Sequence, residues 1–165
     1  MSKDLADISF YFMENIEKYE VNCTNEGFDY YYYFSIGEKG CIKMVAQFIK
    51  SPVKRIYQFR YGVIENTNGV GVIDEYIVVN NNDTSKILNT IVWILYNFTN
   101  SFPECLIRFS GSTKVRTRLF LMWLTRNWDF ANKYFIIFGS NSNEKWVRCK
   151  YSIRYSAILV KKKTK

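Results

Sequence analysis

Residues 105–124, CLIRFSGSTKVRTRLFLMWL, carry two periodicities in succession, and their junction decides what kind of fold the chain can have. Cys105, Leu106, Ile107 and Phe109 form an apolar run suited to a buried strand. Ser110-Gly111-Ser112-Thr113 then supplies a tight turn whose hydroxyls can cap a helix. From about Thr113 to Asn127 the spacing predicts a helix with Val115, Leu119, Met122 and Trp123 on its apolar face, while Lys114 and Arg118 lie one turn apart on another. Such a helix docks on a sheet and shows its cations.

Upstream, Ile87, Leu88, Ile91, Leu95 and Phe98 recur at helical spacing over about 85–100, with Asn82 or Asp83 as N-cap and Ser101-Phe102-Pro103 as the stop. Before it, residues 29–36, 41–49, 55–64 and 72–79 read as four strands joined by short turns. Connections that short make an antiparallel meander. Residues 22–27 read as a loop and 4–20 as helix or irregular structure. Downstream, strands are expected at 134–138, 146–151 and 155–160, with a polar turn at 139–143. The prediction is an α+β fold: a mostly antiparallel, curved sheet, comprising the four-strand N-terminal meander plus later strands, with two main helices packed on one face. One domain is expected, with an N-terminal segment (1–27), a core (28–160) and a basic tail (161–165).

Charge is distributed unevenly. Residues 1–102 hold 9 basic and 12 acidic side chains, whereas residues 103–165 hold 14 and 3, within a total of +8. A basic half of that kind suits a polyanion, through an attraction that salt weakens. No histidine is present, which removes the commonest general base and metal ligand and every Ser-His or Cys-His pair. An enzyme is therefore the less favoured expectation, and no cofactor or metal is predicted. The cysteines at 23, 41, 105 and 149 are too far apart for a CxxC pair and read as reduced packing residues. No apolar run reaches the roughly 20 residues of a membrane helix. The N-terminus lacks signal-peptide order. A soluble cytoplasmic protein without a membrane partner is expected.

The junction does not satisfy GxxxxGK[ST], so a Walker-type nucleotide site is not indicated. What it offers is a general anion site made of helix-start N–H groups, Ser112, Thr113, Lys114, Arg116 and Arg118, with Arg108 just upstream. First-turn cations oppose the helix dipole, and a docked anion would relieve that conflict. The alternative is that the hydroxyls simply cap and the arginines pair with acids of the N-terminal part. A second group, Asn81, Asn82, Asp83 and Lys86, is explained by capping or lines a secondary pocket. Asp74 and Glu75, adjacent in a strand, point to opposite faces and cannot act together on one substrate. The sheet tyrosines are half-buried strand residues or stacking platforms for bases.

GEKGCIKMVAQF, YQFRYG, DEYIVVNNNDTSKILNTI, FPECLIRFSGSTKVRTRLF and FIIFG, taken in succession, resemble the DUF6934 family of small Bacteroidetes-type proteins over roughly residues 28–160. The resemblance implies the architecture and no established activity. Genes of this kind suggest a toxin–antitoxin or phage-conflict setting. The leading functional expectation is a module that binds nucleic acid, RNA rather than duplex DNA, or a phosphorylated small molecule. A histidine-free, metal-independent ribonuclease and a module for an acidic protein partner are the alternatives.

Overall fold

A computed structural model describes residues 11–24, 29–75, 80–110, 114–141, 145–150 and 155–164, with the side chains of Thr67, Ser110, Lys114, Val115, Arg116 and Leu119 outside the description. In chain order the elements are a helix α1, described over 11–15, then β1 (Asn22–Cys23), β2 (Tyr30–Gly37), β3 (Gly40–Lys50), β4 (Ile56–Thr67) and β5 (Val70–Asp74). Helix α2 (Thr84–Ser101), β6 (Leu106–Ser110), α3 (Lys114–Arg126), α4 (Trp128–Tyr134), β7 (Phe135–Ser140), β8 (Trp146–Arg148) and β9 (Ala157–Lys162) follow. The strands form one sheet in the order β1-β2-β3-β4-β6-β9-β7-β8, with β5 added beside β4. Its pairings are antiparallel except β4 with β6. The fold is the expected α+β arrangement.

The meander follows from local chemistry. Asn68 and Gly69 both have positive φ (53° and 79°), as a two-residue hairpin loop that matches strand twist requires. The turn is therefore tighter than the expected one, and β4 extends to Thr67. In β2 the tyrosines alternate: Tyr31, Tyr33 and Ser35 are buried beneath the helices, while Tyr30, Tyr32 and Phe34 face the other way. The core continues across the sheet through Phe48, Phe59, Ile107, Phe109, Ile158 and Val160. Phe98 of α2 stacks on Phe48 with ring centroids 3.8 Å apart, and Phe120 of α3 stacks on Phe109 at 4.5 Å. Both main helices thus lie on one face.

Several elements differ from expectation. Trp128–Tyr134 is a helix rather than the lead-in to a strand, because Phe130 packs between Phe12 (4.5 Å) and Tyr134 (4.8 Å) and draws the segment into a fourth helical piece. Met122 is 40% exposed, since α3 turns Thr117, Phe120, Trp123 and Leu124 inward instead. Asn22–Cys23 pairs with β2 rather than lying in a loop. Cys23 and Cys41 are exposed, so the packing role expected of all four cysteines fails for these two. Among the described residues, no helix is long and apolar enough to cross a membrane.

Candidate nucleic-acid interface

Strand alternation sends the side chains between the core positions to the sheet face opposite the helices. Register then fixes their neighbours. Ile49 pairs with Gln58, Gln58 with Arg108, Arg108 with Leu159, Leu159 with Phe138 and Phe138 with Arg148. These residues make a continuous row across six strands, about 24 Å long at roughly 4.8 Å per strand. Arg108 lies 6.0 Å from the ring centroid of Trp146, and Arg148 lies 5.9 Å from that of Phe138. Arg108, Trp146 and Arg148 are exposed. Farther along the same face, Lys43 sits 4.4 Å over Tyr32, and Phe34 is 43% exposed. The face is not uniformly open, for Val45 and Ser140 upon it are buried.

Among the described residues, ion pairing leaves the two arginines of the row available. The ion pairs among the described residues are Arg55–Glu104 at 3.9 Å and Arg60–Glu75 at 3.1 Å. Arg60 also faces away from the helices, in the gap on the outer edge of β4 between the stretch paired to β6 (Ile56–Gln58) and the stretch paired to β5 (Val63–Thr67). Its charge is already engaged by Glu75.

The predicted junction is only partly on view. Ser112 and Thr113 lie outside the described residues, as do the side chains of Lys114 and Arg116 within α3. Arg118 is exposed. Arg108 is not on its side of the molecule: Ile107 and Phe109 face the helices, so Arg108 projects through the opposite face of the sheet. The structure therefore separates Arg108 from Arg118 and sets it instead near Trp146, with Arg148 three strands along the same row, two residues the sequence reading did not select. The signal was present as alternating basic and aromatic residues in short strands, but strand order was needed to bring them together.

The second group turns inward. Asn81, 1% exposed, donates from Nδ2 to Ser35 Oγ (3.0 Å) and Gly40 O (3.1 Å), and its Oδ1 accepts from the Lys39 N–H (2.7 Å). It clamps the β2–β3 turn. Gly37 is required beside it, since a Cβ there would overlap the Asn81 carbonyl oxygen. Asp83 occupies the N-cap position of α2 but makes no side-chain capping bond. Its Oδ2 instead accepts from Tyr19 and Ser35, both at 2.6 Å, while Oδ1 is buried without a hydrogen-bond partner. Burial, followed by the bond to Asp83, holds the Tyr19 hydroxyl above the ordinary tyrosine value, so it stays a donor. Lys86 lies 4.3 Å over the Tyr19 ring, and Asn82, at φ 59°, reaches Glu38 at 3.4 Å. These residues form a structural network tying α2 to the hairpin. Among the described residues no cluster of three or more His, Cys, Asp or Glu side chains could hold a metal.

A family model described as a family of unknown function, DUF6934, matches residues 15–163. Neither the curated proteins nor the solved structures contain a match.

Proposed function

The chain belongs to DUF6934, a family of unknown function, and from that premise we propose that it binds single-stranded nucleic acid, RNA above duplex DNA, on the sheet face opposite its helices. The observation that carries this reading is the cross-strand row in which Arg108 and Arg148 have no carboxylate partner among the described residues and each lies near an aromatic ring. Cations beside exposed rings are what a single strand requires, since phosphates need charge and unpaired bases need a surface on which to stack. A duplex hides its base faces and gains less from such a platform. The basic surplus of residues 103–165, which supply both arginines and Trp146, adds a longer-range attraction.

Fluorescence anisotropy with labelled single-stranded RNA, single-stranded DNA and duplex DNA of equal length tests the proposal. Trp146→Ala removes a stacking ring worth about 1–3 kcal/mol, an affinity loss of about 5- to 150-fold. A preference for duplex, or a Trp146→Ala variant that binds single strands as tightly as the wild type, overturns the reading.

A further inference from the structure

A second feature lies where β2 stops. Tyr30 of β2 pairs with Gln47, and beyond it β3 continues through Phe48 to Lys50, where among the described residues the Phe48 N–H donates to the Asp29 carbonyl along that edge. The edge opens onto a cavity of about 450 Å³. That volume falls within the roughly 300–1,000 Å³ usual for small-molecule sites. The half-buried Tyr57 and Phe102 give it an aromatic wall backed by the buried Phe48 and Phe98, and Asp29 and Lys50 contribute opposite charges. The rings are already organised: Phe48 stacks on Phe98, Tyr57 meets Phe98 edge-on at 5.1 Å, and Phe98 lies 5.0 Å from Phe102.

Three polar side chains at this wall have no hydrogen-bonding or ion-pair partner among the described residues. Neither the Tyr57 hydroxyl, the Asp29 carboxylate nor the Lys50 ammonium makes a side-chain hydrogen bond or ion pair among the described residues. Burial pushes the Tyr57 hydroxyl above its ordinary value, with the Cys105 thiol and the Asp29 carboxylate adding to the rise, so the phenol remains protonated near a carboxylate. Aromatic walls with an acceptor, a neutral hydroxyl and a separate cation match a flat ring bearing N–H donors and an anionic tail.

The geometry points to this cavity as a receptor for one planar nitrogen heterocycle of the nucleobase class, its exocyclic amine donating to Asp29 and its phosphate facing Lys50. The pocket stands independently of the sheet-face reading, although both take the same ligand chemistry. Two sources supply such a base: a free mononucleotide, or the end of a strand lying on the row whose last member, Ile49, also lines the cavity.

Titration of the full chain with adenosine, cytidine and uridine 5′-monophosphates, followed by NMR of the aromatic side chains, tests the assignment. The two amine-bearing bases are expected to bind at least about tenfold more tightly than uridine, the scale of one hydrogen bond to a charged acceptor. Asp29→Asn should erase that preference and Lys50→Ala should equalise adenosine 5′-monophosphate with adenosine, each variant keeping the wild-type fold by circular dichroism. Arg108→Ala/Arg148→Ala, which disables the row, should leave the Asp29-dependent base preference in place, which separates this pocket from the row. Competition between adenosine 5′-monophosphate and a short RNA identifies the base of a strand as occupant, and simultaneous binding identifies the free nucleotide; both support the pocket. No ring-signal perturbation at millimolar mononucleotide, or a base preference that survives Asp29→Asn, overturns it.

Discussion

Replacing Asn81 by alanine separates a structural role for the Asn81–Asp83 network from a ligand-binding one. The side chain makes three hydrogen bonds across more than 40 residues of sequence, to Ser35, Lys39 and Gly40. A hydrogen bond contributes about 1 kcal/mol net, and a buried group left without its partner costs about 1–3 kcal/mol. The Lys39 N–H and Gly40 C=O lie in an exposed turn where water can replace the lost side chain, so the full desolvation penalty does not apply to them. Ser35 is fully buried but retains its bond to Asp83. The expected loss is therefore about 2–3 kcal/mol, or about 4–12 °C in melting temperature for a domain of this size. Urea unfolding followed by tryptophan fluorescence at pH 7 measures it, and an unchanged m-value would show that the denatured state is unaffected. Oligonucleotide affinity of the folded variant should equal that of the wild type. A variant that keeps its stability to within about 0.5 kcal/mol yet binds RNA more weakly would refute the structural assignment.

Other expectations follow from the same geometry. Gly37→Ala should destabilise the hairpin at least as much as Asn81→Ala, because its Cβ meets the Asn81 backbone rather than a yielding side-chain tip; chemical denaturation of the two variants side by side decides this. Burial, with Tyr61 the next cause, raises the Tyr33 hydroxyl well above the ordinary value of 10.0, and burial raises Tyr31 and Tyr19 likewise. The folded state holds these protons more tightly than the unfolded state, so stability is complete below pH 10 and declines as pH rises through the folded-state values. Melting temperatures recorded from pH 8 upward should show that decline, and Tyr33→Phe should make it shallower. Burial pushes the Cys149 thiol up to about 11; it raises the Cys23 thiol as well, although Cys23, like Cys41, is exposed. Alkylation at pH 8 should reach Cys41 and Cys23 well before Cys149, as peptide mass mapping would reveal.

Much of the architecture was legible because it depends on local periodicity. The apolar face of α2 follows directly from Ile87, Leu88, Ile91, Leu95 and Phe98, all buried. The meander follows from alternation and its short turns. What escaped depends on contacts distant in sequence. Helix α4 is seven residues long and runs into β7 without a loop, so its pattern is too short to declare a period. Asp83 looked like a cap because Asp favours that position, yet Tyr19 and Ser35 supply better donors from 64 and 48 residues away. The candidate site shows the same division. Arg108 could be chosen as a cation near a turn, but Trp146 comes near it and Arg148 joins its row only through the order β6-β9-β7-β8, which no local signal encodes.

The salt dependence of single-stranded RNA binding, compared between the wild type and Arg108→Ala/Arg148→Ala, tests the proposed interface most directly. Each phosphate contact contributes about 0.7 to the slope of log affinity against log salt for a single strand. The double variant should therefore bind more weakly at low salt with a slope shallower by about 1.4, while Arg118→Ala, on the far side of the sheet, leaves the contacts made by the row intact. Equal slopes and affinities for the wild type and the double variant, or no RNA binding at low salt, would contradict the account.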